Sequence, residues 1–160
     1  MQKRNVGFEL SVYDSLDELS EEDQLLMNAA VEARKNAYAP YSNFKVGAAV
    51  LMSTGEIVIG SNQENASYPS GLCAERVAVF QAGALYPGIP ITAIAISASS
   101  QNYKVNRPAA PCGNCRQSIA EYEQKQEGTI RLLMMGEIGQ VYNCNAIAEL
   151  LPLGFDNSYL

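Results

Sequence analysis

Pro111-Cys112-Gly113-Asn114-Cys115-Arg116-Gln117 opens on a proline pre-organised for the first position of a helix. Cys112 and Cys115 then stand three apart on the first turn, with both sulfurs on one face. The unpaired amides and positive end of a helix favour thiolate there. Upstream, Cys73-Ala74-Glu75-Arg76 follows Pro69-Ser70-Gly71 and reads as a second helix start. Two such N-termini converging on one point hold three thiolates around a zinc ion, with the fourth position left for water. Glu75 lies two residues past Cys73, close to the metal but off the ligand direction. A carboxylate there takes a proton from the zinc-held water and passes it on. Three thiolates leave the zinc site at −1, and Arg76 and Arg116, each directly after a ligand, return positive charge by hydrogen-bonding the sulfurs. The plainer reading of either arginine is a solvent-facing helix residue.

Other readings of the cysteines stay open at this point. A lone C-x-x-C also fits a redox pair or a structural zinc site. The redox reading leaves Cys73-Ala74-Glu75 without a purpose. Cys144 is either a fourth ligand closing a structural site or a small buried hydrophobe at a strand end.

The chain has 160 residues, 48% of them apolar, and no histidine. The missing imidazole excludes Ser-His-Asp and Cys-His nucleophile systems and zinc sites built on several histidines. The length predicts one domain with a real core. A charged fraction of 18%, with 9 Tyr and 4 Phe, argues against disorder and for surface buried in an oligomer. Eleven basic against 17 acidic residues leave a net charge of −6, without the electrostatic footprint of a nucleic-acid binder. The first ten residues carry Lys3 and Arg4 but no apolar signal core, and no apolar stretch approaches about 18 residues. A soluble cytoplasmic protein without membrane contact is expected, its four cysteines serving as ligands or core residues rather than disulfides.

Residues 1–19 read as an N-terminal extension or arm, in which 6–13 alternate weakly as an edge strand, and 20–160 as one domain. Ser20-Glu21-Glu22-Asp23 is a capping box opening a helix that Pro40 stops near Tyr38. Strands are predicted at Phe44–Ser53 and Glu56–Glu64, joined at Thr54-Gly55, then at Ile91–Ser99, Thr129–Met135 and Gln140–Cys144. Helices are predicted at Leu72–Ala84, from Pro111 to Gly128, and at Ala146–Leu151. This order gives an α/β protein with a sheet covered by helices on both faces.

Cys73-Ala74-Glu75-Arg76 together with Pro111-Cys112-Gly113-Asn114-Cys115-Arg116-Gln117 resembles the zinc signature of cytidine deaminases. Tyr41-Ser42-Asn43-Phe44-Lys45-Val46-Gly47-Ala48-Ala49 resembles the family's N-terminal strand motif. Asn62-Gln63-Glu64-Asn65-Ala66-Ser67-Tyr68-Pro69-Ser70-Gly71 resembles its nucleoside-binding stretch, and Leu150-Leu151-Pro152 with Phe155 its C-terminal motif. The five motifs run in family order over roughly residues 20–156. One departure is Ala109-Ala110, where family members often carry a hydroxyl residue.

The resemblance implies a three-layer α/β/α sandwich on a mixed five-stranded sheet, in the homotetrameric, three-cysteine branch with active sites shared between subunits. It implies hydrolytic deamination of cytidine and 2′-deoxycytidine in pyrimidine salvage, with Zn²⁺ as cofactor and Glu75 as proton shuttle. Asn62 and Glu64 are then expected to bond the ribose 3′ hydroxyl, Phe44 to stack on the pyrimidine, and the Ala66 backbone and Glu75 to meet the base edge. Tyr68 and Phe155 are expected at subunit interfaces, Phe155 closing a neighbour's pocket. The rivals are a deaminase of a related aminopyrimidine nucleoside such as blasticidin S, a non-catalytic structural-zinc module closed by Cys144, and a polynucleotide-editing deaminase, which the charge disfavours. A nucleotide substrate is disfavoured because Glu64 would repel a nearby phosphate.

Overall fold

In a computed structural model describing residues 1–160, Ser20 caps the first helix, its hydroxyl accepting from the Asp23 amide at 3.2 Å. This helix, α1 (Glu21–Lys35), has Glu21, Glu22 and Asp23 in its first turn and Arg34 and Lys35 in its last, matching the helix dipole at both ends. It buries Leu26, Met27, Ala30 and Ala33. The helix stops at Lys35 rather than near Tyr38, because Tyr38 instead bridges Gln63 beside the sheet.

Six strands follow from the apolar segments: β1 (Ser11–Tyr13), β2 (Phe44–Met52), β3 (Ile57–Ser61), β4 (Ile91–Ser100), β5 (Arg131–Met135) and β6 (Val141–Cys144). They lie in the order β1-β6-β5-β4-β2-β3. The expected five-stranded sheet is thus corrected to six. The additional strand comes from the N-terminal arm, where Ser11, Val12 and Tyr13 pair antiparallel with Asn143, Tyr142 and Val141. The sheet is mixed: β4 and β5 are parallel and every other pair antiparallel.

Helices α2 (Ala74–Leu85), α3 (Gly113–Gln124) and α4 (Ile147–Leu150) complete the fold. Alternation along β2 separates its two faces. Ala48, Val50 and Met52 pack with Ala74, Ala78, Val79 and Ala82 of α2, Ile119 of α3 and Ile147 of α4. Ala49 and Leu51 pack on the opposite face with Leu26, Met27 and Ala30 of α1. Class and layering are therefore as the element order predicted.

The register fixes where the two cysteine-bearing helices begin. Both β3 and β4 are antiparallel to β2, so β3, β4 and β5 all run the same way. Helix α2 follows β3 and α3 follows β4, so both helices start beyond the carboxyl ends of co-directional strands, where open α/β sheets form their ligand crevices. Phe44 pairs with Ser100 and so lies at that same end.

Two close backbone approaches set the layers. A Cβ on Gly60 would stand 2.5 Å from Ala78 N and 2.7 Å from Ala74 O, so α2 lies directly on β3. A Cβ on Gly47 would fall inside the backbone of α1 at Ala30 and Arg34. Gly47→Ala is therefore expected to cost about 3 kcal/mol. In urea unfolding this reads as a lower midpoint with an unchanged slope.

Candidate metal centre and active site

Cys73 is the N-cap of α2 and Cys112 the N-cap of α3, and neither side chain makes a capping hydrogen bond. The proline expected at the first helical position instead precedes the cap, so Cys112 sits just outside the helix and Cys115 within its first turn. The three sulfurs still gather. Cys73 Sγ is 3.8 Å from Cys112 Sγ, Cys112 Sγ is 3.5 Å from Cys115 Sγ, and all three lie within 4.8 Å of one another. A disulfide would need about 2.05 Å. Tetrahedral zinc with bonds of about 2.3 Å separates its sulfurs by about 3.8 Å. All four cysteines are free.

The donor set has the chemistry zinc requires. The Cys115 thiol donates towards Cys73 and, against the opposing effect of burial, holds Cys73 down at about 5; Cys112 and Arg76 act in the same direction. Cys115, as donor beside a thiolate and a carboxyl, is pushed up. One thiolate forms readily and the next with difficulty, so three together call for a cation, which deprotonates coordinating thiols. The Arg76 Nε is buried with no oxygen or nitrogen partner, while its Nη2 donates to Gly71 O at 3.2 Å. Its charge bears on Cys73.

Glu75 follows Cys73 on the first turn of α2 and is only 5% exposed. Burial raises its pKa, and the Cys73 charge adds to this, against the lowering effects of its own backbone amide, the Cys115 thiol and Arg76. Arg116 turns elsewhere: Nε donates to Pro111 O at 2.8 Å and Nη1 to Leu150 O at 2.7 Å. These bonds tie the start of α3 to the C-terminal segment. Cys144 is buried in the core beside α4 and lies outside the sulfur cluster, which leaves the structural module without its fourth thiolate.

A cavity of about 620 Å³ opens over the cluster and brings together Phe44, Asn62, Glu64, Tyr68, Cys73, Glu75, Arg76 and Cys112. Glu64 Oε2 accepts from Tyr41 N at 2.8 Å and Ser42 N at 3.3 Å, and Oε1 accepts from the Ser42 hydroxyl. Burial is opposed and outweighed by these bonds, and the Glu64 carboxyl titrates below its ordinary value. Ala66 is exposed and does not line the cavity. Phe155 also lies outside it, 58% exposed, with its ring stacked on Tyr159 at 5.4 Å. The sequence reading assigned no role to Tyr41, Ser42, Leu72 or Ile96, which also line the cavity. Tyr41 and Ser42 fall inside the quoted strand motif. Their signal was present, but only the fold sets them against Glu64. Ala109 and Ala110 form part of the wall, so the loop departure faces the cavity.

A thiolate cluster beside a buried carboxyl, opening on a cavity of small-molecule size, is the mark of a zinc-dependent enzyme. The family model for the cytidine and deoxycytidylate deaminase zinc-binding region matches residues 20–127. The cytidine deaminase of Halalkalibacterium halodurans is 40% identical over 132 residues, spanning 82% of this chain and 92% of that protein. That of Sporosarcina psychrophila is 37% identical over 136 residues, spanning 84% and 92%. A 1.6 Å crystal structure of cytidine deaminase from Burkholderia pseudomallei matches with a TM-score of 0.73 at 39% identity, covering 86% of this chain and 100% of that one. The chain belongs to the cytidine and deoxycytidylate deaminase family.

In chelator-treated protein at pH 6, iodoacetamide is expected to modify Cys73 ahead of Cys115, because Cys73 is part-exposed and its thiol is held down while Cys115 is fully buried and pushed up. Adding zinc is expected to protect both, with peptide mass spectrometry as the readout. Earlier labelling of Cys115 would contradict the assignment of the first thiolate.

Proposed function

We propose that this protein hydrolyses cytidine and 2′-deoxycytidine to uridine and 2′-deoxyuridine with release of ammonia, using zinc held by Cys73, Cys112 and Cys115. The observation that carries the reading is the cluster of three sulfurs at two helix N-termini with the Glu75 carboxyl buried beside it. When bound, zinc supplies a water acidic enough to react at neutral pH. Glu75 would take one proton of the attacking water as its oxygen bonds to C4 of the ring, and would deliver that proton to N3. Glu75 would then carry the proton of the new C4 hydroxyl to the exocyclic nitrogen, and the C4–N bond would break as the C4 carbonyl forms and ammonia leaves. Low solvent access keeps the exchange local, and a raised carboxyl pKa suits a group that must both accept and return a proton.

Phe44 forms the aromatic wall for the pyrimidine. Asn62 and Glu64 face the sugar, where an anionic acceptor suits a neutral hydroxyl and opposes a phosphate. The Ala66 backbone is assigned to the base edge. Arg76 offsets thiolate charge at Cys73, and Arg116 acts through the backbone carbonyls it holds. The assembly proposed is a homotetramer in which Tyr68 and Phe155 lie between subunits, Phe155 closing a neighbour's cavity. Their exposures of 77% and 58% in the isolated chain support this. Residues 1–19 are assigned as an arm to the catalytic domain 20–160. No helix is long and apolar enough to cross a membrane, and the four free thiols fit a reducing cytoplasm.

Glu75→Gln is expected to retain zinc by elemental analysis while kcat falls roughly 10²- to 10⁴-fold, the range for loss of a proton carrier. Substantial residual turnover would remove Glu75 from the role. Dialysis against a chelator is expected to abolish loss of cytidine absorbance, and zinc to restore it. Efficient turnover of blasticidin S with none of cytidine would favour the related-nucleoside reading.

A further inference from the structure

Asn43, directly before Phe44, has φ of +56°. Asn tolerates this left-handed conformation better than other non-glycine residues. Its own amide donates to Ala39 O at 3.1 Å and its carbonyl accepts from Gln101 N at 3.0 Å, and the peptide groups of Phe44 are held as well. The Phe44 amide donates to Ser42 Oγ at 3.0 Å, and the Phe44 carbonyl accepts from Asn62 Nδ2 at 3.0 Å. Asn62 reaches one residue pair further as well: its Oδ1 accepts from Val46 N at 2.7 Å, and its own amide donates to Val46 O at 3.1 Å. The regular β2–β3 register ends at Gly47 and Ser61, and beyond the single backbone bond from Asn62 N to Val46 O the Asn62 carboxamide continues the ladder.

The hydrogen-bond inventory of these two side chains separates holding from binding. Ser42 has one hydroxyl proton, and it goes to Glu64. The same oxygen accepts from Phe44, so Ser42 joins the sugar-facing carboxylate to the base-facing aromatic. Asn62 spends its oxygen on Val46 and one N–H on Phe44, which leaves one N–H for a ligand.

We propose that Ser42 and Asn62 are positioning residues that clamp both peptide groups of Phe44 and so fix its ring as the wall against which the pyrimidine is oriented. The proposal rests on the cytidine reading above and adds to it that the start of β2, paired with β4 on one side, is held on its β3 side by side chains. Small misplacements of a positioning wall cost large factors in rate.

The test compares Ser42→Ala on cytidine and on 3′-deoxycytidine, in the wild-type and Phe44→Ala backgrounds. The expected result is a loss of roughly tenfold or more in kcat/KM. It is expected to be equal on the two nucleosides, largely absent once Phe44 is alanine, and mostly rescued by Ser42→Thr. A loss that disappears on 3′-deoxycytidine would place Ser42 with Glu64 at the sugar and overturn the clamp. So would a full loss in the Phe44→Ala background. Amide exchange at Phe44 and Val46 reads the clamp without substrate. Faster exchange in Ser42→Ala at Phe44 and in Asn62→Ala at Val46 is expected, and unchanged exchange overturns the proposal. Wild-type protein inert towards cytidine would defeat the functional reading, while the exchange measurement would still decide the clamp.

Discussion

Three thiols crowded within 4.8 Å of one another cannot all ionise without a cation, and everything at the carboxyl edge of the sheet is arranged around that constraint. Helix N-caps are ordinarily Ser, Thr, Asp or Asn, whose oxygens accept from the first amides. Here both caps are cysteines that make no such bond, so the positive ends of two helices are left facing sulfur. Arg76 adds positive charge at Cys73. The cluster thus joins three sources of stabilisation for thiolate: two helix ends, a guanidinium and the metal it suits.

The sheet brings those helix ends together. Because β3 and β4 run the same way with β2 between them, their following helices begin at the same edge. Gly60 lets α2 lie on β3 almost at backbone contact, and the stripe Ala74, Ala78 and Ala82 keeps the facing surface small. On the first turn of α2 Glu75 is buried while Cys73 at its cap remains at the cavity, so one helix start presents a thiol and a desolvated carboxyl to the same space.

The cavity wall at the start of β2 follows a different logic. Phe44, Asn62 and Glu64 sit where regular pairing of β2 with β3 gives out, and their backbone and side-chain bonds replace it. Glu64 is held by donors from Tyr41 and Ser42, and the turn between Ser42 and Phe44 carries its conformational cost at Asn43. This wall of the cavity is therefore built on an irregular strand end, whereas the sulfur cluster is built on regular helix starts.

Much of this was legible in the chain itself. The missing histidine excluded imidazole ligands, the capping box at Ser20 fixed the first helix, and the hydrophobic runs located the core strands, since each depends on composition or on contacts a few residues apart. What depended on distant partners was not legible. The weak alternation at 6–13 became a sixth strand only because β6 offers an open edge to residues 11–13. Arg116, adjacent to a ligand in sequence, turns to the Leu150 carbonyl, which nothing local announces. Ser42 lies inside the strand motif, but its role was not legible until folding set Glu64 against it, 22 residues away. The sequence by itself determined the three clustered thiols, the carboxyl two residues past Cys73 and the elements that bear them, because residue type and short spacing dictate these. Only the tertiary structure decided which oxygen faces which donor, because those pairings are made by long-range packing of one backbone on another.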